Sequence, residues 1–319
     1  MLSGFVITYA YQDKLRAAPA IGSFLIRRLI RLYPIIFLGV AVGFARLVML
    51  AYLEGGSALG PSLVRDLAHG MLLIPSELRH VAVFFPVNFV MWSLHFELIA
   101  YIAFGLILYR LHSKWLWLLA AAALPGSLFW IAEIYADHYA LGQFAGDHLG
   151  YIYGLSRLTI SFTLGMLICR TMPVWSRMTL PGGRWLILLL VLPLALPASK
   201  VSFIAAVAML LIVFPYILAA GSAVEEQPIL SRIDTFLGNL SFPLYALHIP
   251  VMWTMDGAMQ RLGLGFAENP VWNGILIIPA AIAISHLTFT LYDRPLRRAL
   301  TLSLNTSGHA KHKMHVAVR

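Results

Sequence analysis

Residues 24–53 read FLIRRLIRLYPIIFLGVAVGFARLVMLAYL. Arg27, Arg28 and Arg31 come first, and from Tyr33 to Leu53 the only charge is Arg46. A helix of about 20 such residues rises roughly 30 Å, the thickness of a bilayer's hydrocarbon core. The stretch therefore reads as a membrane span with a basic collar at its entry. The same character runs through the chain. Of its 319 residues, 60% are hydrophobic and 12% charged, with a mean hydropathy of +0.80. Soluble domains carry about 25% charged residues, so a soluble enzyme, a disordered chain and a protein held by one anchor are all excluded. A lone cysteine, Cys169, excludes an intrachain disulfide and a cysteine-only metal site.

Working outward, further apolar runs lie at 91–109, 115–135, 151–169, 185–198, 200–220, 236–256 and 271–291. With 33–53 they predict about eight full spans. Residues 2–11 look like the last half of another span, and 185–198 like half of a hairpin with the next helix. The segment 64–90 is interrupted by Pro75, Ser76, Glu77, Arg79, His80 and Pro86. A lipid-facing helix does not tolerate that cluster, so a re-entrant or interfacial segment is expected there. The predicted fold is an all-α, polytopic membrane helical bundle. Residues 1–298 form the transmembrane domain and 299–319 a basic cytoplasmic tail.

The net charge of +9 tests this plan. With 12–32 placed in the cytoplasm and the spans alternating, 17 of the 23 Lys and Arg fall in inner loops, 5 fall outside, and Arg157 lies within a span. That bias is the positive-inside pattern, and it puts the C-terminus in the cytoplasm. It accounts for the basicity without a nucleic-acid partner. The bilayer is the partner expected. His309, His312 and His315 belong to the tail and read as a membrane-surface segment rather than a metal site.

Polar residues at mid-span are functional candidates because hydrocarbon makes them expensive. In Trp92-Ser93-Leu94-His95-Phe96-Glu97-Leu98-Ile99-Ala100-Tyr101, Ser93, Glu97 and Tyr101 share one helix face, and Trp92 and His95 the neighbouring one. Glu97 must be paired, protonated or turned to a polar cavity. A structural ion pair with Arg157 and a role in a site are both open. Ser241, Tyr245 and His248 fall at i, i+4 and i+7, and Pro243 and Pro250 bracket the histidine and can break the helix there. His286 has no polar company and reads as a core histidine. Arg27, Arg28 and Arg31 focus guanidinium groups on one side of a helix. They serve either as a membrane anchor or as a clamp for phosphate. Gly39 and Gly43 form a small-xxx-small helix contact.

Taken in order, Ser3-Gly4-Phe5, Arg27-Arg28-x-x-Arg31-Leu-Tyr-Pro34, Trp92-Ser-Leu-x-x-Glu97, Arg157-x4-Phe162-x-x-Gly165, Leu237-Gly-x-x-Ser241-x-x-x-Tyr245-x-x-His248-x-Pro250 and Tyr292-Asp293-x-Pro295 resemble the acyltransferase-3 family of integral-membrane O-acyltransferases. The resemblance runs from residue 1 to about 298. It implies a ten-helix plan and a bacterial inner-membrane location. It also implies acyl-CoA, acetyl-CoA in the commonest case, as the donor, with no metal. The acceptor would be a hydroxyl of a cell-envelope or exported glycan, or of a lipid-linked sugar such as lipopolysaccharide. By the same resemblance Arg27, Arg28 and Arg31 hold the donor's phosphates. Glu97, Tyr245 and His248 are the catalytic candidates. Ser3, Gly4, Phe5, Trp92, Ser93, His95 and Arg157 line the substrate cavity. The family's catalytic histidine lies on a first helix for which this sequence has no counterpart. The natural start is therefore expected about 45–60 residues upstream, the length of the missing helix and a half with a connection. A chain that began at Met1 is expected to be inactive, since His95 stands on a different helix. A multi-pass transporter or flippase, or a non-catalytic paralogue, is the competing reading.

Overall fold

The structure, a computed structural model, describes residues 1–53, 61–76, 84–136, 148–175, 200–223, 228–263 and 270–304. Helices are the only regular elements among them. They are α1 (Leu2–Ala17), α2 (Ile21–Leu53), α3 (Pro61–Leu72), α4 (Met91–Leu106), α5 (Ser113–Ala136), α6 (His148–Trp175), α7 (Lys200–Ala208), α8 (Phe214–Gly221), α9 (Pro228–Arg261) and α10 (Pro270–Thr288). A π-helical turn, Met209–Val213, joins α7 to α8, and a second, Phe289–Asp293, follows α10.

Four helical stretches are long and apolar enough to cross a bilayer: Ile21–Leu53, Gly150–Trp175, Ile204–Gly221 and Gly274–Leu304. The protein is therefore an integral membrane protein. The predicted count of about eight spans is not reached among the described residues. The stretch at 91–109 forms α4, which has 16 residues. The stretch at 236–256 lies inside the 34-residue α9, and 185–198 lies outside the described residues. Helix ends also depart from the prediction. The loop expected at 12–32 is mostly helix, because α1 runs to Ala17 and α2 begins at Ile21. The helix expected to stop at 291 continues to Leu304, so Tyr292, Asp293 and Pro295 are helical. Hydropathy sees only the apolar part of a helix, whereas the backbone ladder carries on through polar residues.

The chain forms two compact units. The first takes Met1–Leu25 and Ser93–Glu226, with α1, α5 and α8 packed on α6. Gly4 lies against the backbone of Phe162, and Gly165 against the carbonyl of Met1 and the amide of Phe5. Missing side chains let the two helix backbones meet, as in other close membrane crossings. Ala120, Ala123, Ile131, Ile160 and Leu210 form the core between α5, α6 and the first π turn.

The second unit takes Ile26–Ser76, Phe85–Trp92 and Gln227–Arg319. Leu247, Val251 and Ala281 form its core, with Leu38, Val42, Leu244 and Met255 packed around them. The 12-residue α3 rises about 18 Å, too little to cross a bilayer. It ends with Leu73 at φ +53° and the amide of Ile74 bonded to the carbonyl of His69 at 2.9 Å. Past that turn the Ser76 hydroxyl donates to Asp66 at 2.7 Å, both side chains buried. Glu77, Arg79 and His80 lie outside the described residues.

Pro243 and Pro250 can break a helix, but α9 runs through both unbroken. Pro250 has no N–H, so the carbonyl of Ala246, four residues earlier, loses its helical partner. Asn88 supplies a substitute, donating from Nδ2 to Ala246 O at 2.9 Å and to Gly39 O at 3.1 Å while itself 1% exposed. Gly39 leaves room for that amide, and Gly43 for the backbone of Val87.

This pairing predicts a compensating double mutant. Asn88→Leu is expected to lower thermal stability in detergent by about 1–3 kcal/mol, the usual cost of a buried orphan acceptor. Pro250→Ala restores an N–H for Ala246, so Asn88→Leu is expected to cost clearly less in that background. Additive losses in the double-mutant cycle would count against the pairing. A second prediction concerns the α1–α6 crossing. Gly165→Leu drives a side chain into the α1 backbone and is expected to cost at least about 1–3 kcal/mol. Gly238 has open space around it, so Gly238→Ala is expected to be neutral or stabilising by up to about 1 kcal/mol.

Candidate functional site

In the first unit the site is built on α1, α4 and α6. Glu97 projects from α4 and accepts a hydrogen bond from the Ser3 hydroxyl of α1 at 3.3 Å and another from the Tyr101 hydroxyl one turn on. Glu97 and Tyr101 thus do share a face. Ser93, one turn before, is half-buried. Arg157 is exposed on α6. The contacts drawn on Glu97 are hydroxyls from the Ser-Gly-Phe motif and from its own helix.

His95 sits beside this group in an aromatic cluster. Its Nε2 is 2.9 Å from the Tyr151 hydroxyl, and the rings of Phe96, Tyr151 and His95 pack together at centroid distances of 5.3–5.7 Å. Tyr151 was not foreseen. It stands six residues before Arg157, and nothing in its local sequence marks it as a partner of His95. Phe5 is half-buried, next to the glycine that admits the α6 backbone.

In the second unit Tyr245 and His248 lie on α9. The Tyr245 hydroxyl points to the carbonyl of Val90 at a long 3.5 Å. His248 Nδ1 lies 3.1 Å from Leu244 O and 2.7 Å from Tyr245 O. Both partners are carbonyl acceptors, so Nδ1 carries the proton and Nε2 keeps its lone pair. Trp92 is half-buried and Ser241 bonds its own helix at Gly238 O, 2.9 Å away. His286 is exposed and edges the ring of Phe236 at 5.3 Å, so it is a ring contact on the outside of α10 rather than a core residue.

The three arginines of α2 are not alike. Arg28 is buried at 6% exposure, while Arg27 and Arg31 are exposed. Arg297, which the sequence reading counted only as an inner-loop cation, has a partner that reading missed. It makes a two-point ion pair with Asp293, Nε to Oδ1 at 2.7 Å and a terminal nitrogen to Oδ2 at 2.6 Å, and Asp293 is fully buried. The guanidinium also lies 5.8 Å from the ring of Phe242 on α9. The charge of Arg31 acts on both members of the pair.

Among the described residues no three His, Cys, Asp or Glu side chains gather as a metal site would need. The model of the acyltransferase-3 family, an acyltransferase domain, matches residues 1–290. The chain belongs to the acyltransferase-3 family. It is a membrane acyltransferase in that general sense. No curated protein and no solved structure matches it. All of the motifs quoted above except the last, Tyr292-Asp293-x-Pro295, fall inside the matched region.

Proposed function

We propose that this member of the family is an O-acyltransferase. It moves an acyl group, acetyl in the simplest case, from cytoplasmic acyl-CoA to a hydroxyl of a cell-envelope or exported glycan. It would work in a bacterial inner membrane with its C-terminus in the cytoplasm. The observation that carries the reading is the Glu97 carboxylate, which is already arranged to receive hydrogen bonds from two hydroxyls. A sugar offers the same group. When its hydroxyl takes the place of one of them, the carboxylate is positioned as general base.

The step then balances simply. The sugar O–H gives its proton to the carboxylate as its oxygen attacks the thioester carbonyl. The C–O bond forms, the C–S bond breaks, and the leaving thiolate takes up a proton. The tetrahedral intermediate needs donors for its oxyanion. By the family resemblance Tyr245, whose hydroxyl can donate, and His248, whose Nε2 can accept, are proposed as further polar groups for the substrates. The donor's phosphates are assigned to Arg28 and Arg31, with Arg27 beside them, because guanidinium matches phosphate in two-point geometry.

Two outcomes test this reading. Acyl-CoA-dependent acylation of a glycan acceptor by the protein purified from its native membrane and reconstituted in proteoliposomes is expected to fall at least about 100-fold with Glu97→Ala, the scale of general-base catalysis. Arg31→Ala is expected to raise the apparent KM for acyl-CoA about tenfold, the loss of one charge-assisted contact, with kcat nearly unchanged. The rise should be larger at low salt, where screening is weak. Solute or lipid flux without any acylated product would favour a transporter instead. Donor binding with no turnover under any condition would favour a non-catalytic paralogue.

A further inference from the structure

We propose that Arg297 is a third anion-binding cation of the donor site and that Asp293 is its positioning residue. This rests on the reading of Arg28 and Arg31 as phosphate ligands and extends it to the other end of the chain. Four observations carry it. Asp293 is a fully buried carboxylate, and a group so placed is retained at a high desolvation cost. It is spent on one guanidinium, in fork geometry that fixes the plane of Arg297 as well as its place. The Phe242 ring packs beside that guanidinium, and Asp293 closes a π-helical turn, a local irregularity often found at functional positions.

The fourth observation is the charge balance. Arg31 acts electrostatically on both Asp293 and Arg297. It is exposed and, among the described residues, it makes no ion pair of its own. One carboxylate therefore stands among two guanidinium groups, with Arg28 one residue-turn away on α2. An added anion is what such a balance lacks, and a phosphate-bearing donor supplies it. Arg297 retains partial exposure of its side chain, at 25%, so it can share its remaining N–H groups with a ligand while Asp293 holds it.

The test is equilibrium binding of free coenzyme A to the full chain in nanodiscs, which needs no turnover. Arg31→Gln and Arg297→Gln are each expected to weaken binding about tenfold or more and to flatten its salt dependence. Arg297→Lys keeps the charge without the fork and is expected to fall between. Asp293→Asn is expected to weaken binding several-fold, yet to add nothing once Arg297→Gln is present, since it acts through that side chain. A purely structural role for the pair would lower thermal stability while leaving the affinity and salt slope of the folded protein unchanged, and that result overturns the inference. Should Asp293→Asn fail to fold, Arg297→Gln and Arg297→Lys decide by the same two readouts. If Arg31→Gln weakens binding and both Arg297 variants do not, this inference falls and the donor reading stands. If wild-type protein binds no coenzyme A, or if Arg28→Gln and Arg31→Gln leave its affinity unchanged, the donor reading itself falls and takes this one with it.

Discussion

Inside hydrocarbon a backbone carbonyl has no water to turn to, so every one the helix ladder abandons must be met by another part of the protein. Much of the second unit follows from that constraint at one atom. Pro250 frees the carbonyl of Ala246, and Asn88 is the group that answers it. For Asn88 to reach α9 it must lie against α2, which requires Gly39 at that level and Gly43 where the backbone of Val87 crosses. The irregular stretch before α4 is therefore tied to two long helices by a single amide. The cost of orphaning that carbonyl, about 1–3 kcal/mol, is enough to hold the stretch in one register.

Charge meets the same constraint with two different solutions. Glu97 is given hydroxyl donors, which orient it without cancelling it. Asp293 is given a guanidinium, which does cancel it. A buried ion pair seldom gains stability over an apolar replacement of the same shape. Asp293 and Arg297 are thus poorly explained as a device for holding α10 in place. They make better sense as a way of fixing a cation where the Arg31 charge is also felt. The hydroxyl-bound Glu97 is the opposite case, a carboxylate held by neutral donors.

The fold class and the main polar faces were legible because they depend on spacing along one helix. Ser-x-x-x-Glu-x-x-x-Tyr on α4 predicts one face whatever surrounds it, and Tyr101 does bond Glu97. Gly39 likewise marks where α2 meets α9, whereas Gly43, read with it as a helix contact, meets the irregular backbone at Val87. Pairings across the fold were not legible. Asn88 sits in a stretch read only as interrupted, and its target is more than 150 residues away. Arg297 looked like one more inner-loop cation, and its role emerges only when Asp293 is seen to be fully buried. Helix ends were misread for a related reason. A hydropathy pattern stops at Leu291, while the hydrogen-bonded backbone runs on through Tyr292 and Asp293 to Leu304.

The continuity of α9 through Pro243 and Pro250 has a consequence for His248. A broken helix would have left its imidazole free to choose either tautomer. The continuous α9 instead offers two carbonyls to Nδ1 and so holds the proton there. Nε2 is then left with a fixed lone pair at a fixed height on the helix. It can accept a hydrogen bond without giving up either backbone contact. The prolines and Asn88 thereby act on chemistry as well as on packing. Asn88 meets the carbonyl that Pro250 frees, and the helix carries the Leu244 and Tyr245 carbonyls to His248 unbroken.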